Sequence, residues 1–205
     1  MGALDIDLFT PRAGQVVALS GAAGSGLTRL GLGMLAEVER PGPLACLDVR
    51  GWLSPVAAWE AGIPAGRLVI VRCGDRGRWP QVVAAVCEGV PAVYAEVPAG
   101  VRDQMLRRLA ALARARHTAV LLRPLAGDLP SGVAHLRIAA REVAWEGADG
   151  GHGRLRRRRL VVEVAGRAAG GRALLYEVED DGTHPVRVVP RLAAAAESRG
   201  GAAAG

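Results

Sequence analysis

The chain has 205 residues, half of them hydrophobic and 22% charged, with a formal net charge of +6 at pH 7; this length suits one domain with a sizeable core. No apolar run approaches the roughly 18 residues that a membrane span needs, and the acidic start of the chain does not resemble a secretion signal, so we expect a cytoplasmic protein without a membrane segment. All 26 basic residues other than histidine are Arg, so the chain has no lysine ammonium for a compact phosphate contact. Its excess positive charge permits binding to nucleic acid or to an acidic partner.

Apolar runs alternate with helix-like segments through the first part of the chain. Leu30, Met34 and Val38, for example, recur at the four-residue spacing of a helix. Strands that alternate with helices in this way predict a parallel sheet with helices on both faces. The predicted strands are 15–20, 44–49, 68–71, 92–97 and 118–122, and the predicted helices are 28–40, a short helix that starts at Ser54-Pro55, 79–88 and 101–116.

After Pro130 the pattern changes to alternating apolar and polar residues, separated by Gly-rich or Asp-Gly turns, which is typical of antiparallel hairpins. We therefore predict an α/β fold with a mainly parallel sheet flanked by helices and a C-terminal antiparallel hairpin extension. We assign residues 1–192 to one core domain and expect the Ala/Gly-rich residues 193–205 to be disordered. The strands predicted for the extension are 135–146, 158–164, 172–179 and 186–189.

A Gly-rich loop connects the first predicted strand to the first predicted helix. Its sequence, Gly21-Ala-Ala-Gly-Ser-Gly-Leu-Thr28, fits the phosphate-loop frame G-x-x-x-x-G-K-[ST] except that Leu27 replaces the Lys. Such a loop directs backbone N–H groups at an anion, but without the Lys it loses much of its attraction for phosphate and offers apolar surface instead. We interpret it as a degenerate nucleotide site that keeps a tight turn; the alternative is a working site with Arg29 as substitute cation. Its candidate residues are Gly21, Gly24, Ser25, Gly26, Leu27 and Thr28.

The cysteines and histidines show no arrangement typical of a metal site. Cys46, Cys73 and Cys87 have apolar neighbours and no ligand spacing, and the four histidines are scattered. We expect reduced, packed thiols and no bound metal.

The order of elements resembles the core of RecA-type recombinases over residues 10–192, with the degenerate loop as its first element. The stretch Cys46-Leu-Asp-Val-Arg-Gly-Trp-Leu-Ser-Pro55 is similar to the recombinase segment in which a strand ends in Asp-Ala-Glu and a helix begins at Asp-Pro. In this resemblance Asp48 matches the Asp of the motif, and Arg50 falls where the family keeps the Glu that activates the attacking water. Val93-Tyr-Ala-Glu96 falls where the family has the Mg²⁺-associated Asp, and Arg123 follows the fifth strand where the family commonly has a Gln.

These departures imply a pseudo-ATPase with no catalytic residue and no required cofactor, able at most to bind Mg·ATP weakly. We expect little to remain of the two DNA-binding loops of a recombinase, and no N-terminal polymerisation helix, because the first predicted strand begins near Gln15. Both losses disfavour a filament-forming recombinase.

The chain instead resembles the ImuA-type proteins, RecA-like accessory factors of mutagenic translesion synthesis, and more distantly the SulA-type division inhibitors. The ImuA resemblance implies a role in SOS-type DNA repair through protein–protein interaction. Its implied partners are an ImuB-like relative of Y-family polymerases, a DnaE-type error-prone polymerase and RecA. An ATP-binding recombinase or ATPase paralogue and a SulA-like inhibitor of cell division are the alternatives.

The densest positive charge lies between a Gly-rich turn and an apolar strand, at Arg154, Arg156, Arg157, Arg158 and Arg159. Two interpretations stay open: contact with nucleic-acid phosphates or an acidic partner, and a solvated hairpin edge whose charge discourages aggregation. The arginines of the 101–116 helix are expected on an exposed face.

The four tryptophans could anchor a partner, because Trp is enriched in interface hot spots. We expect core packing for most of them and exposure for Trp52, which follows a strand end.

Overall fold

The structure is a computed structural model that describes residues 7–149, 152–184 and 186–190. The described residues contain four α-helices, which are α1 (Leu27–Ala36), α2 (Pro55–Glu60), α3 (Trp79–Gly89) and α4 (Asp103–Arg116). They also contain nine strands, which are β1 (Val16–Ser20), β2 (Leu44–Asp48), β3 (Leu68–Arg72), β4 (Ala92–Val97), β5 (Ala119–Pro124), β6 (Leu136–Asp149), β7 (His152–Gly166), β8 (Leu174–Asp180) and β9 (Arg187–Pro190). The strands form one sheet in the order β3-β2-β4-β5-β1-β6-β7-β8-β9.

The first five strands are parallel, as the sequence predicts. Residues of β1, β2, β4 and β5 are almost all buried, because helices cover both faces of this part of the sheet. On one face Val17 and Leu19 pack in a core with α1 and α2, and on the other Val16 and Ala18 pack in a core with α3 and α4.

Strand β6 joins the two parts of the sheet. It is parallel to β1 and antiparallel to β7, and β7, β8 and β9 continue as an antiparallel meander. The predicted hairpin extension is therefore confirmed, with the difference that its first strand also extends the parallel sheet. Leu160 and Val162 of β7 and Val178 of β8 pack in the same core as α1, so the extension lies on the side of the Gly-rich loop.

Several predicted boundaries are wrong. Helix α1 ends at Ala36 rather than Arg40, and β7 begins at His152 rather than Arg158. Within the predicted turn at 147–153, residues 147–149 belong to β6 and residues 152–153 to β7. The predicted disordered tail at 193–205 lies outside the described residues.

The β6–β7 hairpin extends well beyond the core. Every residue of β6 from Arg141 to Gly147 is exposed, as are Arg154, Arg156 and Arg157 on β7. We call this part, residues 141–147 and 153–157, the hairpin arm. Within the described residues, no helix has the length and apolar character needed to cross a membrane.

Candidate functional site

The Gly-rich loop lies at the carboxyl edge of the parallel strands, where open α/β sheets bind ligands. It connects the end of β1 to the first residue of α1, and the N–H of Leu30 donates to the carbonyl of Gly26 at 3.1 Å to begin the helix. Gly24 and Gly26 have φ angles of 79° and 87°, in the left-handed region that favours glycine. The strand–loop–helix arrangement predicted from the phosphate-loop frame is therefore present.

Leu27 does not lie at the mouth of this loop. Its side chain is fully buried in the core with α1, so it offers no surface to a ligand, contrary to the expectation from sequence. A Cβ built on Gly21 would lie 2.6 Å from Cβ of Ala140 and 3.0 Å from Cδ1 of Leu27. The interior of the loop is thus closely packed with apolar atoms, because the side chain of Leu27 belongs to the core.

The hydroxyl groups of the loop also face protein. The hydroxyl of Tyr94 donates to Oγ1 of Thr28 at 3.5 Å, and Oγ of Ser25 is buried with no hydrogen-bond partner among the described residues. Burial raises the pKa of Tyr94, and the hydrogen bond to Thr28 and the charge of Arg123 act against this rise. Tyr94 therefore stays a neutral donor to the hydroxyl of Thr28, the last residue of the phosphate-loop frame.

An arginine from the hairpin extension covers the C-terminal end of the loop. A Cβ built on Gly26 would lie 2.2 Å from Cζ of Arg158, so the guanidinium lies directly against the glycine backbone. Arg158 forms an ion pair with Asp180 of β8, and its guanidinium lies 5.4 Å from the ring centre of Trp145. The approach to Gly26 is therefore occupied by a side chain that is itself fixed by two neighbours.

Arg29 does not act as a free substitute for the missing lysine. Its guanidinium forms ion pairs with Glu60 and with Asp180, both at 3.4 Å, and donates to the carbonyl of His184 at 3.1 Å. Arg29 and Arg158 thus share Asp180, whose side chain is only 9% exposed. This ion-pair network connects α1 and α2 to the hairpin extension across the loop.

Asp48, at the end of β2, holds the next loop in place. One carboxylate oxygen accepts from the N–H groups of Gly51 and Trp52, at 2.8 Å and 3.2 Å, and the other accepts from Leu53 at 3.0 Å. With its side chain buried and both oxygens accepting from backbone, Asp48 acts as a structural anchor rather than as a free carboxylate.

Glu96, at the end of β4, is held by Arg50. The guanidinium of Arg50 donates from Nε at 2.9 Å and from Nη2 to Oε1 of Glu96, while the N–H groups of Val49 and Arg50 donate to Oε2. The hydrogen bond to Glu96 raises the pKa of Arg50 above its usual value. The residue at the expected catalytic position thus binds the carboxylate at the expected metal position.

Arg123 is a second buried cation at this edge. It is paired in register with Glu96 on the adjacent strand, and the residue is only 5% exposed. Its Nε and Nη1 atoms have no hydrogen-bond partner among the described residues. Asp48, Glu96, Arg50 and Arg123 together carry two negative and two positive charges. Arg72, at the end of β3, adds a third positive charge 4.0 Å from Asp48, so arginines outnumber carboxylates at this edge.

Mg·ATP does not fit this arrangement. A nucleotide-bound magnesium needs carboxylate or hydroxyl oxygens that are free to contact it or its waters. Both oxygens of Glu96 accept hydrogen bonds, Thr28 is engaged by Tyr94, and Arg158 lies over Gly26. Among the described residues, no group of three or more His, Cys, Asp or Glu side chains could hold a metal ion.

The arginine cluster is divided between two roles. Arg158 pairs with Asp180, and Arg159 pairs with Glu146 at 3.1 Å and Glu177 at 2.8 Å, so these two stabilise the hairpin. The other three are exposed on the hairpin arm, and none has an ion-pair partner among the described residues; they are Arg154, Arg156 and Arg157. Sequence proximity alone could not separate the two groups.

The tryptophan prediction was right for Trp52 and wrong for most of the others. Trp52 is 75% exposed, and Arg50 lies 4.9 Å from its ring centre. Trp59 and Trp145 are about half exposed, and only Trp79 is buried in the core. The four arginines of α4 are exposed, as is Arg102 just before it; the four are Arg107, Arg108, Arg114 and Arg116. The three cysteines are free and buried.

Arg158 and Asp180 are the site residues that sequence reasoning missed in these roles. Asp180 belongs to an Asp-Asp-Gly turn, and Arg158 to a run of four arginines, and neither context indicates a contact with the Gly-rich loop. No local signal could have found them, because strand pairing of β7 and β8 brings them together.

Comparison with known proteins identifies a family for the first part of the chain. The family described as the MT3502 N-terminal domain matches residues 8–130, which is more than half of the chain and includes the Gly-rich loop, Arg50, Glu96 and Arg123. The matched segment contains β1 to β5 and all four helices, and it ends before β6. No curated protein matches the chain significantly. The chain belongs to the family of the MT3502 N-terminal domain.

Proposed function

We propose that this protein is a non-catalytic, RecA-like accessory factor of SOS-type DNA repair, acting in mutagenic translesion synthesis through protein–protein contacts. Its proposed partners are an ImuB-like relative of Y-family polymerases, a DnaE-type error-prone polymerase and RecA. We place this activity in the cytoplasm, with no required cofactor.

The ion pair between Arg50 and Glu96 is the observation that carries the non-catalytic part of the proposal. Hydrolysis of ATP needs a group that orients or deprotonates water and a carboxylate near Mg²⁺. A guanidinium stays protonated and cannot serve as a base. Here the guanidinium of Arg50 also binds Glu96, the carboxylate that would lie near the metal. One substitution therefore removes both functions.

The ion-pair network over the loop supports the same proposal. Arg158, Asp180 and Arg29 connect the extension to the helical layer at the place where a nucleotide would enter. A site closed by its own side chains fits a protein whose fold serves as a scaffold. An ATPase paralogue would have to break this network at each binding event.

Exposed aromatic residues support an interaction role. Trp52 and Trp59 lie within one short segment beside the site, with Val56 also half exposed between them. Trp is the residue type most enriched among the anchors of protein interfaces. Exposed arginines on the hairpin arm are available for an acidic protein or a nucleic-acid backbone.

Two measurements on the full chain test the proposal. The first is co-purification with a Y-family polymerase relative from the same genome, where the proposal expects a stable complex that does not require ATP. The second is calorimetry with Mg·ATP, where we expect no binding in the low-micromolar range. Complex formation with a tubulin-like GTPase and not with the polymerase relative would instead support the SulA-like alternative.

A further inference from the structure

The outer side of α3 and α4 carries an apolar groove. The two helices pack side by side over the sheet, and the space between them encloses about 340 Å³. Its lining is mainly apolar, and within the described residues no other element covers it. The principal lining residues are Val83, Ala84, Met105, Leu109 and Leu112, with Arg108 at the rim.

A second cavity of about 450 Å³, with a mixed polar and apolar lining, adjoins the groove. Pro80, Gln81 and Met105 line both spaces, so the groove and the cavity are adjacent. The cavity lies between the first turns of α3 and α4, and Arg76 and Arg102 contribute to its wall.

Exposed arginines lie beside this surface near the second cavity. Both helices follow parallel strands, so both begin at the same end, where helix N-termini carry partial positive charge. Arg102 and Arg108 are exposed with no ion-pair partner among the described residues, and Arg76 donates to the carbonyl of Ala99 at 3.4 Å. Of the nearby carboxylates, Asp75 accepts from the N–H groups of the turn that precedes α3, and Asp103 is exposed at the start of α4. The end beside the second cavity therefore carries more exposed positive than negative charge.

We propose that the α3–α4 groove docks an amphipathic helix of a protein partner, with its apolar face on Ala84, Met105 and Leu112 and its acidic residues beside Arg102 and Arg108. A groove between two helices accepts apolar anchors at helical spacing, and the basic end complements carboxylates. This inference goes beyond the proposed function, because it rests on this surface alone and holds for any partner with that chemistry.

The test uses two synthetic peptides with the same Leu-containing apolar face, one bearing Glu and the other Lys on its polar face. The full chain is labelled with ¹³C at the methionine methyl groups, since Met105 lies in the groove and Met34 is buried in the other core. We expect the Glu peptide to shift the Met105 methyl resonance and leave Met34 unchanged. The Lys peptide is expected to bind at least about tenfold more weakly, because repulsion replaces attraction at the rim.

Arg108→Glu and Arg107→Glu form a matched pair of variants. Both change an exposed arginine on α4, but only Arg108 lines the groove. We expect Arg108→Glu to weaken the Glu peptide by about tenfold and Arg107→Glu to leave its affinity within about twofold. Leu112→Gln should weaken both peptides, and its melting temperature shows whether the fold is retained.

Several results would overturn the proposal. These are equal affinity for the two peptides, no Met105 shift with either, or equal effects of the two arginine variants. Dimerisation of the chain that Arg108→Glu abolishes would assign the groove to a second copy instead. Competition by a single-stranded oligonucleotide at the Met105 methyl group would assign it to nucleic acid. None of these results depends on whether the polymerase partnership is correct.

Discussion

Arg50, just beyond the end of β2, binds Glu96 at the end of the neighbouring strand β4. The guanidinium donates to one carboxylate oxygen, and two backbone N–H groups donate to the other. The Glu96 side chain is only 3% exposed, whereas that of Arg50 is 26% exposed. The pair therefore closes the carboxylate from the solvent side.

Loss of this pair is expected to destabilise the fold. Arg50→Gln leaves Glu96 buried without its cation, and we expect the free energy of unfolding in urea to fall by about 3 kcal/mol. Arg116→Gln is the control, because Arg116 and Glu88 form an ion pair that is about half exposed on both sides. That change should cost less than about 1 kcal/mol. Equal effects of the two variants would show that the Arg50–Glu96 pair is not a buried structural contact.

Restoring the lysine of the phosphate-loop frame is expected to damage the protein rather than reactivate it. Leu27 is fully buried, so Leu27→Lys places an ammonium in the core, and we expect a loss of roughly 3–5 kcal/mol in unfolding free energy. Leu27→Met, which conserves volume, should cost less than about 1.5 kcal/mol. Calorimetry should show no gain in Mg·ATP affinity, and a phosphate-release assay no turnover. A stable, ATP-binding Leu27→Lys variant would contradict the assignment of this side chain to the core.

The hairpin arm is expected to account for any electrostatic binding of nucleic acid. Changing Arg154, Arg156 and Arg157 to Gln should reduce the slope of log affinity against log salt by roughly 2–3, because each phosphate contact contributes about 0.7–0.9. The charge-matched control changes Arg107, Arg114 and Arg116 on α4. Fluorescence anisotropy with a labelled single strand over a salt series measures both. An unchanged slope in the arm variant would support the alternative of a solvated hairpin edge.

His135 is expected to make stability depend on pH. Its Nδ1 accepts from the N–H of Val16 at 3.1 Å, and burial, followed by the charges of Arg114 and Arg167, lowers its pKa. The unfolded state therefore binds the proton more readily, so stability is complete above about pH 6.5 and declines as the pH falls below it. His135→Gln should flatten the pH dependence of urea unfolding between pH 7 and pH 5. His117→Asn, at an exposed histidine, should leave the wild-type profile in place.

Two of the three thiols are expected to be unreactive in the folded protein. Burial raises the pKa of both Cys46 and Cys87 to about 12, and the thiolate is the reactive form. With a thiol-specific reagent at pH 8, both should react only after denaturant is added. Rapid reaction of Cys46 or Cys87 in the absence of denaturant would show that these side chains are accessible.

The sequence by itself determined the order of the elements and the absence of a complete phosphate loop. Buried strands such as Ala92–Val97 appear as short apolar runs between turn signals, because both of their faces are covered. The presence of Leu27 in place of the lysine of the phosphate-loop frame can be read directly from the sequence. Exposure of Trp52 also followed from its place just beyond a strand end.

Only the tertiary structure decided what occupies the site. Arg158 contacts Gly26 because β7 is placed by its pairing with β6, which in turn pairs with β1. Leu27 points into the core because α1 packs on the sheet with this side of the helix inward. Arg50 reaches Glu96 because β2 and β4 are neighbours in the sheet. Local patterns report which face of an element is apolar, but contacts between residues far apart in the chain depend on sheet order and register. The division of the arginine cluster into paired and exposed members has the same origin.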